Sequence, residues 1–536
     1  MRLVLAAMVL HLVLVQPNHP AAMNWDALLL FPLELPVILL ALVALGSGRW
    51  AQWLRIALVS TLLVIALLKT ADFAMFTALA RGFNPVSDLP LIEAGLRLAN
   101  GAVGPALTAA GVVAALAAVA LVAVALWWAT GVWARLKIER VHTGLTVGAA
   151  ILFGAIAVAE IGQTMGRWNL PAPIPGAAFT ARVGVERTLM VRDTLADLRA
   201  FSVAAAQDPY AGRTGLLDTI DSDVLVIFVE SYGRASLDTP LYAQTHRATL
   251  TRSEARLRDL GLEMRSGLLR APTRGGQSWL SHATFANGLW VADQTSYGAV
   301  LASERQTLFH IAQNSGFHTA AVMPQITLDW PEAAFMGFET VLAAADLGYE
   351  GLPFNWVTMP DQFTFAAMDR LLRNGQDDRP VFVQMALGSS HAPWLPVPRL
   401  VDWEAIGKGE IFNPMAEAGD PPDVVWRDRD RVRDQYRQAV DYALNVVFDY
   451  IALHADDPPL ILVVGDHQAT GFVALDERPD VPIHLIGPDH LVARAAAWGW
   501  ADGLLPTETA SPRAMSDMRN LILDAFSSLP PKDESS

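Results

Sequence analysis

The 536-residue chain contains no cysteine, which excludes disulfides and thiolate metal ligands. Any metal must be held by Asp, Glu, His and hydroxyl groups. Charge is scarce too: 17% of residues are charged against 52% hydrophobic, low for a purely soluble chain. Basic residues are outnumbered, with 39 Lys and Arg against 54 Asp and Glu, and the formal net charge is -15. That balance excludes nucleic acid as the expected partner, because phosphate binding needs clustered cations. No internal repeat and no long low-complexity segment is present. Nearly all the apolar excess lies before about Met165.

What is there, first, is a series of apolar runs: Leu3–Val15, Ala27–Leu45, Ile56–Ala80, Ala106–Trp128 and Leu145–Ile161. They predict an α-helical transmembrane domain of about five spans over residues 1–165. The first run is short, and a signal-peptide core is its alternative reading. Arg49, Arg55, Arg135, Lys137 and Arg140 fall in the second and fourth connections, whereas the first has no basic residue. This predicts an inner N-terminus and everything after Met165 outside, although Arg81 and Arg97 run against the pattern. Glu34 and Lys69 stand within spans. They read as an ion pair beside a lipid path, or else as snorkelling side chains, with Lys69 alternatively paired to Asp72.

Residues 166–222 read as a linker with surface helices, opened by the Pro-rich PAPIPG and holding a helical stretch over Thr180–Ala206. From 223 to 529 strand-like and helix-like stretches alternate. The strands are expected at Val224–Val229, Glu263–Leu269, His318–Met323, Val381–Leu387, Leu460–Val464 and Pro482–Ile486. Helices are expected at Thr245–Leu260, Ser278–Asn287, Leu308–Ser315, Asp361–Arg373, Arg429–His454 and Met515–Phe526. The alternation predicts an α/β domain, a mostly parallel sheet sandwiched by helices. Residues 530–536 read as a disordered tail.

Two of the strands end in metal-competent side chains. Val224–Val229 runs into Glu230, and Leu460–Val464 runs into Gly465, Asp466 and His467. Ligands bind beyond the carboxyl ends of strands in open α/β sheets, so the pair predicts one metal site built across the sheet. Gly275-Gly276 precede Ser278 at a predicted helix start, where free N–H groups favour an anion and a hydroxyl can serve as nucleophile. The competing reading makes Ser278 an N-cap. His391 follows the strand Val381–Leu387 and is either structural or part of the same edge.

In order, VESYGR, GGQSW, SSHAPW and VVGDHQ, behind five apolar runs, resemble the membrane-anchored branch of the alkaline phosphatase/sulfatase superfamily. That branch includes lipoteichoic acid synthase, periplasmic-glucan phosphoglycerol transferases and lipid A phosphoethanolamine transferases. The resemblance implies one divalent metal ion, Zn or Mn, held by Glu230, Ser278, Asp466 and His467. Ser278 becomes the nucleophile and His391 the residue beside the phosphoryl group. Arg274, Trp394 and Asp361 become substrate contacts, Asp361 alternatively a helix cap. Close relatives in this branch use Thr where this chain has Ser278. The formylglycine signature of true sulfatases and the paired cysteines of many phosphoethanolamine transferases are both absent. The implied activity is transfer of phosphoglycerol or phosphoethanolamine from a membrane phospholipid to a glycan or lipid acceptor. The protein is then an inner-membrane, multi-pass enzyme with its catalytic domain outside. A phosphodiester hydrolase, less readily a sulfate ester hydrolase, and an inactive scaffold of the same fold are the alternatives.

Overall fold

A computed structural model describes residues 1–528 apart from 80, 173, 329, 356, 357, 376 and 508. The expected disordered tail at 530–536 lies outside the described residues. The chain divides into two compact units, Met1–Arg199 and Ala200–Ser536.

The first unit is helical: α1 (Arg2–Val15), α2 (Trp25–Leu29), α3 (Glu34–Leu45), α4 (Arg49–Leu79), α5 (Leu89–Val103), α6 (Pro105–Ala134), α7 (Arg140–Thr164) and the start of α8 (Phe179–Ala206). Among the described residues, three stretches are long and apolar enough to cross a membrane: Arg49–Thr77, Pro105–Ala134 and His142–Thr164. This is a membrane protein. The other two expected spans are shorter. Ala27–Leu45 does not form one helix, because Pro32 removes a backbone donor and bars Phe31 from helical geometry. The chain there bridges to Ala177 instead, and the resumed α3 has 12 residues, about 18 Å at 1.5 Å per residue. The expected partners of Lys69 also differ. Its buried ammonium donates to the Leu14 carbonyl at 3.0 Å and to Thr180 Oγ1 at 2.6 Å, capping the carboxyl end of α1. Asp72 pairs with Arg187 at 2.5 Å, and Glu34 accepts the Ala181 N–H.

Among the described residues of the second unit nine strands form one sheet: β1 (Val224–Val229), β2 (Glu263–Arg270), β3 (His318–Met323), β4 (Thr340–Ala343), β5 (Val381–Ala386), β6 (Leu460–Gly465), β7 (Asp480–Gly487), β8 (Ala501–Asp502) and β9 (Arg513–Ala514). The order is β4-β3-β5-β1-β6-β7-β2-β8, with β9 beside β2. From β4 to β6 every pairing is parallel, whereas β7 runs antiparallel to both β6 and β2.

Side chains alternate between two apolar layers. Leu225, Ile227 and Val229 of β1 join Tyr242, Leu250, Met368 and Val440 on one face. Val224, Val226 and Phe228 join Phe285, Phe309 and Ile522 on the other. Strands buried on both faces have no polar side to show, hence the unbroken apolar runs at β1 and β6. The central register pairs Val229 with Gly465, so Glu230 and Asp466 leave the sheet side by side.

Candidate active site

Glu230 continues the alternation of β1 past the sheet edge and lies on the same face as Phe228. Ser231 follows with φ of 59°, and its N–H donates to Asp466 Oδ1 at 2.8 Å. The Tyr436 hydroxyl holds the Ser231 carbonyl at 2.9 Å. Left-handed backbone at a non-glycine residue costs energy and survives where surrounding contacts over-determine it. Among the six described non-glycine residues with positive φ are Ser231, Gln277 and Trp394, each in one of the four sequence segments that converge here.

Gly275 and Gly276 take φ values of 71° and 136°, and Gly275 N–H binds the Gln468 carbonyl at 2.7 Å. This turn delivers Ser278 as the first residue of helix α11 (Ser278–Asn287), after α9 (Ala235–Asp238) and α10 (Pro240–Asp259) in the chain. Gln277, not Ser278, holds the cap position. The Ser278 hydroxyl is therefore free of capping, and it donates to Glu230 Oε2 at 2.9 Å.

Glu230, Asp466 and His467 are all buried, and one ligand atom from each lies within 4.8 Å of the others. His467 Nδ1 engages the Gln468 carbonyl at 3.1 Å, which leaves the lone pair on Nε2. That nitrogen faces Glu230 Oε1 at 3.1 Å, an ion pair when the ring is protonated, and it makes no aligned hydrogen bond among the described residues. A buried, oriented imidazole nitrogen facing two carboxylates fits a divalent metal ligand set, with the Nδ1 contact fixing the tautomer. The electrostatics agree. Burial opposes charge throughout, and with the neighbouring Glu230 it lifts the Asp466 carboxyl well above the usual range. Burial alone would lower His467, yet the Asp466 and Glu230 carboxylates raise it to about 9. The cluster calls for positive charge at its centre.

The remaining sequence candidates divide. His391 is half-buried and lies within electrostatic reach of Glu230. Its neighbour Ser390 donates to the Glu230 carbonyl at 2.7 Å, which ties the β5 edge to the site. Arg274 faces elsewhere: its guanidinium binds the carbonyl and carboxylate of Glu477. Trp394, expected to touch a headgroup, is 3% exposed, stacked on Trp426 and bonded to the Ser390 carbonyl. Asp361 is also buried, and it is the first helical residue after Pro360, which holds the cap position. Its Oδ1 accepts the N–H groups of Gly388 and Ser389, which supports the loop carrying His391. Burial raises its carboxyl to about 6.

One neighbour escaped the sequence reading. His282 lies one helical turn beyond Ser278, packs its ring on Phe228 with centroids 4.1 Å apart, and keeps Nε2 unpartnered. Burial lowers it to about 4. Its i+4 spacing from Ser278 was the available signal, since such positions share a helix face.

Residues 222–476 match the Sulfatase family model. Among curated proteins, none matches the chain. Solved structures similar to it include the lipoteichoic acid synthase LtaP from Listeria monocytogenes, at 11% identity over 62% of this chain and 79% of that one, with a TM-score of 0.39. The lipooligosaccharide phosphoethanolamine transferase EptA from Neisseria meningitidis is similar at 13% identity over 77% and 76%, with a TM-score of 0.43. The phosphoglycerol transferase GacH from Streptococcus pyogenes, in complex with sn-glycerol-1-phosphate, is similar at 13% identity over 62% and 92%, with a TM-score of 0.36. By that match the segment 222–476 is a Sulfatase-family domain.

Proposed function

We propose that the protein is a metal-dependent transferase that moves a phosphoglycerol or phosphoethanolamine group from a membrane phospholipid to a glycan or lipid hydroxyl. The observation that carries this reading is the contact between the Ser278 hydroxyl and Glu230 Oε2 at 2.9 Å. It sets a nucleophile at a helix N-terminus against the Glu230, Asp466 and His467 cluster. Those three residues and Ser278 would hold one Zn or Mn ion. When bound, the ion lowers the pKa of a hydroxyl ligand and polarises a phosphoryl oxygen.

In the first displacement Ser278 Oγ forms the bond to phosphorus and the bond to the diacylglycerol oxygen breaks. The serine proton passes toward Glu230, and His391 protonates the departing oxygen. In the second, the acceptor hydroxyl forms its bond to the same phosphorus and gives its proton to His391. The serine–phosphorus bond breaks, and Ser278 recovers its proton from Glu230. Helices that can cross a membrane would keep the enzyme where a lipid donor is concentrated.

Ser278 is only half-buried and Arg274 and Gly275 beside it are exposed, so water also has a route to the phosphorus. Phosphodiester hydrolysis is accordingly the second reading. Full-length protein reconstituted with headgroup-labelled phosphatidylglycerol or phosphatidylethanolamine, divalent metal and a glycan or lipid acceptor separates them. Label in the acceptor fraction is the expected result. Release of free headgroup phosphate alone would make the protein a hydrolase, and no turnover of any phosphodiester by metal-loaded protein would overturn both.

A further inference from the structure

Within the first unit, α4 and α8 leave a groove between them of about 580 Å³, inside the range of small-molecule sites. Val64, Ile65 and Leu68 of α4 form one wall, and Gly184 and Val191 of α8 form the other. Gly184 lets α8 pack closely on α4 beside the groove, because a Cβ there would come within 3.1 Å of Ile65 Cδ1. From Ser60 to Leu68 the groove follows eight residue-to-residue steps of α4, about 12 Å of helix at 1.5 Å each. This stretch lies in the middle of a candidate span, and Val64 is 54% exposed, so the groove opens toward hydrocarbon.

One helical turn beyond Leu68 the character changes. Arg187, which lines the groove, reaches Asp72 at 2.5 Å and the Phe83 carbonyl at 2.9 Å. Its Nε is buried without a hydrogen-bond partner. Counted from Arg49, Asp72 lies about 35 Å along α4, where a span leaves the hydrocarbon for the headgroup layer. An apolar channel at membrane depth, ending in an arginine at headgroup depth, has the polarity of a glycerophospholipid: tail along the groove, phosphate at the cation.

We infer that the α4–α8 groove is a binding site for one acyl chain of an anionic glycerophospholipid whose phosphate lies beside Arg187. The site does not depend on the proposed transfer reaction. A lipid held there serves as donor or as a fixed structural partner, and its detection needs no turnover.

Full-length protein in phosphatidylcholine nanodiscs, doped with phosphatidylglycerol bearing a mid-chain diazirine, tests the assignment by irradiation and peptide mapping. Adducts are expected on Ser60–Leu68 and Gly184–Val191. Unlabelled phosphatidylglycerol should displace them at concentrations about fivefold lower than phosphatidylcholine does, one basic residue's preference for an anionic lipid. Gly184→Leu and, separately, Val64→Trp should each remove most of this labelling. The second variant projects from an exposed position and leaves the helix contact at Gly184 untouched. Labelling spread evenly over α4, α6 and α7, or groove labelling that survives both substitutions, would overturn the site. Equal displacement by the two lipids would overturn the role of Arg187.

Discussion

Glu230, Asp466 and His467 are buried together, and removing one leaves the other two facing an uncompensated neighbour. Asp466→Asn keeps the shape and the acceptor for the Ser231 N–H but removes a charge from the metal set. It should lower affinity for Zn or Mn at least about a hundredfold, read by calorimetric titration of chelator-stripped protein. Unchanged affinity would remove Asp466 from the ligand set. Ser278 separates two roles. Ser278→Ala should reduce turnover about a thousandfold or more, whereas Ser278→Thr, which keeps the hydroxyl, should retain most of it. Loss of activity in both variants with metal binding intact would point to packing at this position.

At this scale the sequence disclosed which side chains meet at the sheet edge better than which way they face. Glu230, Asp466 and His467 were legible because each ends a buried apolar run, and nothing apolar explains them there. Trp394 was not. A tryptophan after a histidine in a loop reads equally as a contact or as packing, and its stacking on Trp426 leaves no local signal. The turn of Arg274 toward Glu477, 203 positions away, has no local signal at all.

At the scale of elements, the close approach of β1 and β6 depends on one missing side chain. A Cβ on Gly465 would sit 1.9 Å from the Tyr232 carbonyl oxygen. The obstacle is backbone, so it cannot swing aside. Gly465→Ala should destabilise the second unit by about 3 kcal/mol or more, seen as a lowered unfolding transition together with weaker metal binding, since Glu230 and Asp466 leave the sheet here. A wild-type transition would mean that the strand ends part freely.

Strands β1 and β3 and helix α11 begin and end where the apolar periodicity places them, because each is bounded by Gly, Pro or a polar run. The antiparallel run of β7 was hidden, since a strand buried on both faces looks the same in either direction. The break at Pro32 was hidden by the apolar residues on both sides of it. Hydropathy averages over a breaker that covalent geometry obeys.

At the scale of the whole molecule, buried histidines away from the Glu230, Asp466 and His467 cluster weaken the fold in acid, two of them deep in the core. His484 is buried between the Tyr232 hydroxyl and Ser266 Oγ, and burial lowers it to about 3. Burial also lowers His246. The unfolded chain takes these protons near 6.5, whereas the folded one refuses them. The stabilising contribution is therefore complete above 6.5 and declines as pH falls, by about 1.4 kcal/mol per pH unit for each histidine until its folded pKa is reached. Denaturant unfolding of the full chain between pH 7.5 and 5 should show that decline, and a flat profile would mean that both histidines become protonated without unfolding.

The division into a membrane unit and an α/β unit was legible from hydropathy alone. The meeting of four distant segments at one point was legible only through the order of their motifs, because convergence belongs to sheet topology and not to any local stretch. The central claim is that Ser278 takes the phosphoryl-bearing group covalently. Metal-loaded full-length protein mixed with phosphatidylglycerol or phosphatidylethanolamine, quenched in acid and analysed by peptide mass spectrometry, tests it most directly. The account predicts a phosphoglycerol or phosphoethanolamine adduct on Ser278 that is absent from Asp466→Asn. An adduct on another residue, or none during demonstrated turnover, would contradict it.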